Sequence, residues 1–168
     1  MGCRMIRVGV GFDMHRLVSG RPLILGGVAI PFERGLEGDS DADVLTHAIL
    51  DALLGAAGLG DIGTHFGVGR PENIGISSLL LLERVVALLR ARGYRANNVD
   101  ATVVAEAPKI GPFIPAMRAT LAHVLGIPEA RVNVKGTTAK GLGALGEGEG
   151  IATFATASVI RRRASRHL

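Results

Sequence analysis

Three side chains that could hold one metal ion lie in two short segments of the sequence. Asp13 and His15 directly follow a run typical of a β-strand, and His47 lies inside a run typical of a helix. Side chains two positions apart on an extended chain share a face, so Asp13 and His15 can point the same way. One carboxylate and two imidazoles suit a divalent ion, above all zinc, with a fourth position left open. Spacing alone leaves one alternative open, which is that His47 is an ordinary core histidine.

A second set of residues could bind phosphate. Thr137 and Thr138 follow a predicted strand, where hydroxyls and free backbone amides can cradle a phosphate. Lys135 and Lys140 flank the two threonines, although an ordinary polar turn explains these residues equally well. The segment Gly141-x-Gly143-x-x-Gly146 has the letters of a dinucleotide fingerprint, but no helix in a βαβ unit follows it. We therefore predict no dinucleotide site there.

Composition and charge narrow the class of protein. The 168 residues are 48% hydrophobic and 20% charged, which predicts one domain over residues 1–168 with a sizeable core. Much of the net charge of +4 lies in residues 161–168, which we expect to be a solvated, flexible tail, as are residues 1–4. Aromatic residues are only 4%, and none interleave with the basic ones, so we expect no nucleic-acid partner. No apolar run is long enough for a membrane span and no secretory signal is visible, which predicts a cytoplasmic protein.

Alternating strands and helices must position the candidate ligands. Periodicity and turn residues predict helices over 42–57, 78–92 and 112–125, with Ser40 as the N-cap of the first. Strands are predicted over 5–12, 98–105, 131–135 and 151–160, with two short strands in 23–30 joined by Gly26-Gly27. The segments 31–39, 61–76 and 136–150 are predicted loops. This pattern favours an α/β or α+β layer fold.

The metal and phosphate residues belong to a longer series of motifs. The series includes Gly11-Phe12-Asp13-Met14-His15, Ser40-Asp41-Ala42-Asp43, His47 to Ala56, Gly60-Asp61-Ile62-Gly63, Ala107-Pro108-Lys109, Val132 to Lys135 with Thr137-Thr138, and Gly148-Glu149-Gly150-Ile151-Ala152. In this order, from Ile6 to Ile160, the chain resembles the 2-C-methyl-D-erythritol 2,4-cyclodiphosphate synthase family of the non-mevalonate isoprenoid pathway. The resemblance implies a mixed sheet with helices on one face, assembled as a homotrimer with active sites between subunits.

The resemblance also implies a reaction. The family acts as a phosphorus–oxygen lyase on a cytidine-diphosphate-linked substrate, 4-diphosphocytidyl-2-C-methyl-D-erythritol 2-phosphate. The 2-phosphate attacks the β-phosphate, which closes a cyclodiphosphate and expels CMP. Zinc on Asp13, His15 and His47 would bind a β-phosphate oxygen, and Asp51 would orient a ligand.

Further site residues follow from the same resemblance. Thr138 would donate to the phosphates during catalysis. The sugar hydroxyls would contact Asp61, Ile62 and Gly63. A cytosine pocket would be formed by Ala105, Ala107, Pro108, Lys109, Ile110 and Gly111. The remaining substrate contacts implied are Ser40, Phe66, Thr137, Lys140 and Glu147.

Several positions depart from the family pattern. Asp39 stands where the family has a catalytic histidine, and Lys140 stands where a glutamate normally holds a second ion, magnesium or manganese. Glu147 replaces an arginine. One interpretation is a charge exchange, in which Lys140 replaces the second ion and Glu147 compensates for it. The alternative is a catalytically impaired trimer or scaffold that keeps the fold and the metal site.

Overall fold

A five-stranded mixed sheet carries the fold and places the first and last strands of the chain side by side. The protein is represented by a computed structural model that describes residues 5–67 and 70–161. The predicted flexible ends 1–4 and 162–168 lie outside the described residues. The strands are β1 (Ile6–Ser19), β2 (Leu23–Leu25), β3 (Val28–Ile30), β4 (Arg34–Leu36), β5 (Tyr94–Val104), β6 (Val132–Thr137) and β7 (Gly150–Arg161). The strand order in the sheet is β4-β1-β7-β5-β6, and a two-stranded hairpin, β2-β3, lies apart from the sheet.

Pairing within the sheet is antiparallel except at one edge. β1 pairs antiparallel with β4 and β7, and β7 pairs antiparallel with β5. β5 and β6 are parallel, and a helix makes the crossover between them, as a parallel pair requires. The predicted turn at Gly26-Gly27 joins β2 to β3, with φ of 58° and 73° that glycine adopts without strain.

The long helices pack on one face of the sheet, as expected from the resemblance. The helices are α1 (Val44–Ala57), α2 (Ile62–Phe66), α3 (Ser78–Ala91), α4 (Ile114–Leu125) and α5 (Gly143–Gly146). α1 packs on β1 and β7 and lies beside α3, and most of its side chains are buried. None of the helices in residues 5–67 and 70–161 has the length and apolar character that a membrane span requires.

Two glycines let α1 lie directly on β1. A Cβ atom on Gly11 would run into the backbone of Ala48 and Ala52, and one on Gly9 would run into the backbone of Ala52 and Ala56. The three alanines recur every four residues, so they form one small-residue stripe on α1. This close approach places residue 47 of the helix beside residues 13 and 15 of the strand.

Replacing Gly11 with alanine is expected to destabilise the fold by about 1–3 kcal/mol, because the new methyl group meets backbone that cannot move aside. The measurement is the free energy of unfolding by urea. The matched control is Gly55→Ala on the exposed side of α1, where no atom lies closer than 4.0 Å to the new Cβ. That variant is expected to gain about 0.5–1 kcal/mol, as alanine does over glycine in a helix. Equal effects from the two changes would contradict the tight packing of α1 on β1.

Several predicted boundaries were wrong. The N-cap of α1 is Asp43, whose carboxylate accepts from the Thr46 N–H, and the helix begins at Val44. Ser40 Oγ instead accepts from the Ala42 N–H, and Ala42 has a φ of 55°, which no α-helical residue adopts. β1 extends to Ser19 because its second half pairs with β7 and β4. The predicted loops contain short elements without periodicity, namely β4, α2 and α5.

Candidate metal centre and active-site pocket

The three predicted ligands converge at the point where β1 meets the first turn of α1. Asp13 Oδ2 lies 2.9 Å from His15 Nε2 and 3.0 Å from His47 Nδ1. The two imidazole nitrogens lie 3.4 Å apart. The three donor atoms therefore form a small triangle, and His47 is a residue of this cluster rather than an isolated core histidine.

The dimensions of the triangle fit a divalent metal ion. A tetrahedral zinc ion has ligand distances of about 2.0–2.1 Å, which separates its donors by about 3.3–3.4 Å. The observed separations of 2.9–3.4 Å are close to this value. A point about 2.0–2.1 Å from all three donors lies about 1 Å out of their plane, which leaves a fourth position free. Among the described residues, this is the group of carboxylate and histidine side chains able to hold a metal ion.

Each histidine has a partner on the ring nitrogen that faces away from the triangle. The ring of His15 hydrogen-bonds the backbone carbonyl of Glu37. His47 Nε2 lies 2.8 Å from Ser78 Oγ and 3.3 Å from Ser40 Oγ. Such partners fix the orientation of a ligating imidazole.

The electrostatics of the metal-free cluster favour a charged pair. Burial works to raise the pKa of Asp13, but its hydrogen bonds and charge interactions with the two histidines outweigh burial and hold that pKa well below its ordinary value. Burial works to lower the pKa of His15, yet the adjacent Asp13 carboxylate raises it above the ordinary value. Protons therefore compete with a metal ion at this site, because a ligating His15 must be neutral.

A cavity of about 240 Å³ opens beside the triangle. Of the residues expected from the resemblance, Asp39, Ser40, Asp51, Ile62, Gly63 and Phe66 line it. Gly67, Asn73, Ile76 and Leu81 complete its wall and were not predicted. An apolar wall around a cluster of metal-binding donors is the arrangement of a small-molecule site.

Comparison with known proteins identifies the family. The sequence profile of the YgbB family matches residues 6–160. The chain belongs to the YgbB family. The 2-C-methyl-D-erythritol 2,4-cyclodiphosphate synthase of Symbiobacterium thermophilum is 59% identical over 155 residues, 92% of this chain and 99% of that protein. The enzyme of the same name from Gloeobacter violaceus is 61% identical over 150 residues, 89% of this chain and 92% of that protein.

The fold agrees with a solved structure of the family. IspF of Plasmodium falciparum, determined as a CDP complex, superposes with a TM-score of 0.83 at 34% identity, covering 96% of this chain and all of that one. The single α/β domain with helices on one face of a mixed sheet is therefore confirmed.

Two acids near the pocket have contacts that sequence reasoning did not foresee. Asp51 Oδ1 accepts a hydrogen bond from the Ile62 N–H at 2.8 Å, so its described contact is with α2 rather than with a ligating histidine. Burial raises the pKa of Asp51, partly offset by that hydrogen bond. Asp61 caps α2 by accepting from the N–H and the hydroxyl of Thr64, at 2.7 and 2.8 Å. The contact of Asp61 with substrate hydroxyls stays a prediction.

The residues expected to contact cytosine and phosphate lie elsewhere in the chain. Residues 105–111 follow β5, and Thr137 and Thr138 lie at the end of β6, where Thr137 O accepts from the Ala105 N–H at 2.9 Å. None of them lines the cavity beside the triangle. β6 is three strands away from β1, a distance of about 14 Å. Within one chain, the structure does not bring these two groups together.

The basic residues around Thr137 differ in their surroundings. Lys135 Nζ forms an ion pair with Asp100 at 2.6 Å, so the charge of this lysine is already paired with a carboxylate. Lys140 is exposed, has a φ of 57°, and its N–H donates to Thr138 Oγ1 at 3.3 Å. Within the described residues Lys140 and Glu147 form no ion pair with each other, so the two charges do not compensate each other through a direct contact.

Sequence reasoning missed Asp41 and Ser78 as residues of the metal centre. Ser78 was expected only at the start of a helix, and Asp41 only near the start of another. Ser78 Oγ contacts His47, which is 31 positions away, and Asp41, which is 37 positions away. No local sequence pattern predicts contacts between residues so far apart in the chain. The one available signal was that a carboxylate and a hydroxyl residue, which can hydrogen-bond each other, lie near the starts of two helices.

Proposed function

We propose that this chain performs its synthase reaction at a zinc site formed by Asp13, His15 and His47. The activity is 2-C-methyl-D-erythritol 2,4-cyclodiphosphate synthesis, and relatives of that name 59% and 61% identical over nearly their whole length carry this conclusion. The triangle of donors, with one position free beside a cavity, supports the placing of the metal. Zinc is the ion of choice because two imidazoles and one carboxylate are typical of catalytic zinc.

The reaction joins two anionic groups of one substrate. An oxygen of the 2-phosphate forms a bond to the β-phosphorus of the cytidine diphosphate unit. The bond from that phosphorus to the bridging oxygen breaks, and its electron pair leaves with CMP. A zinc ion held by Asp13, His15 and His47 would supply positive charge that offsets the charge of the phosphates. The barrier falls because the two phosphates are held close together and because their charge is offset.

The chain's own residues supply the geometry of the proposed site. Asp13 and the two histidines fix the metal position between β1 and α1. Ile62, Phe66, Ile76 and Leu81 present apolar surface to the cavity, which limits water around the reacting phosphates. Asp39 and Ser40 line the same cavity. We assign Asp39 a position beside the phosphates of the substrate, and we assign Thr138 the role of donating a hydrogen bond to the diphosphate.

We also propose a homotrimer, because the second face of the sheet carries exposed apolar side chains. Five of these side chains are 49–72% exposed, and we call them together the bare sheet face: Val8, Val10, Phe12, Met14 and Phe154. The rings of Phe12 and Phe154 lie 4.7 Å apart, so the side chains are contiguous. Soluble monomers rarely leave so much connected apolar surface in water. Further copies of the chain are the occupants that the family resemblance implies.

The separation of the two groups of site residues supports the same assembly. The metal triad lies on β1 and α1, whereas residues 105–111 and 137–138 lie at the far edge of the sheet. One copy would supply the metal side of a site and its neighbour the cytidine side. The CDP complex of the Plasmodium falciparum relative supports a cytidine nucleotide as the ligand.

The bare sheet face provides a direct prediction. Val10→Asp, at a side chain 72% exposed in one chain, is expected to lower the native mass from three times 17.5 kDa to 17.5 kDa and to abolish CMP release. The reason is that a carboxylate would have to lose its water in an apolar contact. The measurement is light scattering after size exclusion. Leu80→Asp, on the outer side of α3, is the control and should keep both mass and activity. A wild-type protein with the mass of one chain would contradict the trimer.

The position of Lys140 predicts the metal dependence of the rate. If the lysine ammonium replaces a second cation, CMP release with zinc present is expected to change less than twofold when magnesium is removed with a selective chelator. Lys140→Glu should restore a magnesium requirement, because a carboxylate is a ligand for that ion. Arg84→Glu, at an exposed position of α3, provides a comparison for the change of charge alone. A wild-type rate that still requires magnesium would count against this role of Lys140.

The proposed function is tested by following the product. Purified protein with zinc is incubated with 4-diphosphocytidyl-2-C-methyl-D-erythritol 2-phosphate, and the phosphorus NMR spectrum is recorded. The expected result is the loss of the 2-phosphate signal together with equal amounts of CMP and cyclodiphosphate. Absence of both products over a range of pH and divalent metals would favour the alternative of a catalytically impaired trimer.

A further inference from the structure

We propose that Ser78 and Asp41 form a hydrogen-bonded relay that orients His47 and makes it a stronger metal ligand. Ser78 and Asp41 are positioning residues in this proposal, since they act through His47 and do not touch the metal. The inference rests on the proposed zinc site and goes beyond it by assigning the residues that prepare one of its ligands.

The relay begins at the ring nitrogen of His47 that faces away from the triad. His47 Nδ1 lies 3.0 Å from Asp13 Oδ2, and His47 Nε2 lies 2.8 Å from Ser78 Oγ. Ser78 Oγ in turn donates to Asp41 Oδ1. A serine hydroxyl has one proton. Since that proton points at Asp41, the oxygen accepts from His47, so Nε2 carries the hydrogen and Nδ1 offers its lone pair to the metal.

Asp41 is held firmly in place for this role. Its second carboxylate oxygen accepts from the Ser78 N–H at 2.9 Å, and its own N–H donates to Ile76 O at 3.0 Å. Both oxygens of the carboxylate accept from Ser78, Oδ1 also accepts from the Asp43 N–H at 3.3 Å, and the Ser78 side chain is completely buried. A serine held at both its N–H and its hydroxyl cannot rotate away from His47 without breaking a buried hydrogen bond.

Other candidates for the same role are weaker. Ser40 Oγ lies 3.3 Å from His47 Nε2, which is longer, and it already accepts from the Ala42 N–H at 3.1 Å. The described hydrogen bond of Asp51 is with Ile62. Charge from Asp41 reaches the imidazole through the serine, and partners of this kind usually change metal affinity by about 10- to 100-fold.

The experiment measures zinc affinity in the metal-stripped full-length protein by competition with a chromophoric chelator. Ser78→Ala is expected to weaken zinc binding about 10- to 100-fold. Asp41→Asn is expected to weaken it in the same direction, by a smaller factor. The control is Ser77→Ala, which removes the same hydroxyl one position earlier, where the side chain is exposed and makes no capping hydrogen bond. It should bind zinc as the wild type does.

A double variant separates a relay from two independent effects. Because Asp41 acts through Ser78, adding Asp41→Asn to Ser78→Ala should cause no further loss of affinity. Thermal unfolding with chelator present shows whether each variant still folds. In the zinc-bound wild-type protein, a two-bond nitrogen–proton NMR spectrum should place the proton of His47 on Nε2, which needs no variant at all.

The outcomes distinguish the relay from the zinc site on which it rests. Wild type that binds zinc, together with Ser78→Ala that binds equally well, overturns the relay alone. Independent losses that multiply in the double variant, or a proton on Nδ1 of His47 in the zinc-bound protein, also overturn it. Wild type without zinc affinity overturns both the relay and the proposed site.

Discussion

Replacing His47 with alanine is expected to abolish stoichiometric zinc binding and to lower the rate of CMP release by about 10³-fold or more. A metal that offsets phosphate charge contributes several kcal/mol to the transition state, and each 1.36 kcal/mol is a factor of ten in rate. His47 is one of only three protein donors in the triangle, at 3.0 Å from Asp13 Oδ2. Its loss leaves two donors, too few for a structured site. The measurements are metal content after dialysis and the steady-state rate.

The control for this variant is another histidine on a helix. His123→Ala, at an exposed position of α4, should keep zinc content and rate at wild-type values. Secondary structure by circular dichroism should be the same for both proteins. If His47→Ala kept both zinc and turnover, the metal centre would have to lie elsewhere.

Replacing Asp43 with alanine is expected to cost about 3–5 kcal/mol of stability, the largest effect we predict for a residue outside the triad. The carboxylate is fully buried and accepts from the N–H groups of Gly26, Gly27 and Thr46 and from the Thr46 hydroxyl, at 2.7–3.0 Å. Burial raises the pKa of Asp43, partly offset by these four donors. Alanine would leave those donors without an acceptor and would remove the cap of α1. The measurement is the free energy of unfolding by urea.

The same variant should also weaken the metal site, since Asp43 ties the β2–β3 turn to the start of the helix that carries His47. Ser77→Ala is the comparison at another N-cap position, and it should change stability by less than about 0.5 kcal/mol because its side chain makes no capping bond. A loss from Asp43→Ala no greater than that from Ser77→Ala would mean that the buried carboxylate has no stabilising role.

The metal triad could be predicted because its signals are local. Asp13 and His15 share a face of β1 by strand alternation, and the helix that carries His47 has a clear apolar period ended by Gly58. The family motifs then joined the two segments, and the structure places all three side chains within hydrogen-bond distance. The fold class and the three long helices were predicted from local patterns of the same kind, namely apolar periodicity and turn residues.

What could not be predicted depends on tertiary contacts. The capping role of Asp43 depends on the turn at Gly26-Gly27, far from it in sequence, whereas Ser40 fits the local preference for an N-cap equally well. The short strand β4 forms only because the second half of β1 offers it an edge. The contacts of Ser78 with His47 require α3 to pack beside α1. Such contacts are decided by packing between distant elements, and no residue period records them.

The most direct test of the account is a zinc titration of the metal-stripped protein, followed by the rate of CMP release from the authentic substrate. The account predicts no turnover without metal, a linear rise with added zinc, and a break at one zinc per chain, with the cyclodiphosphate formed in equal amount to CMP. A rate that is independent of zinc, or zinc bound at one per chain without any CMP release, would contradict it.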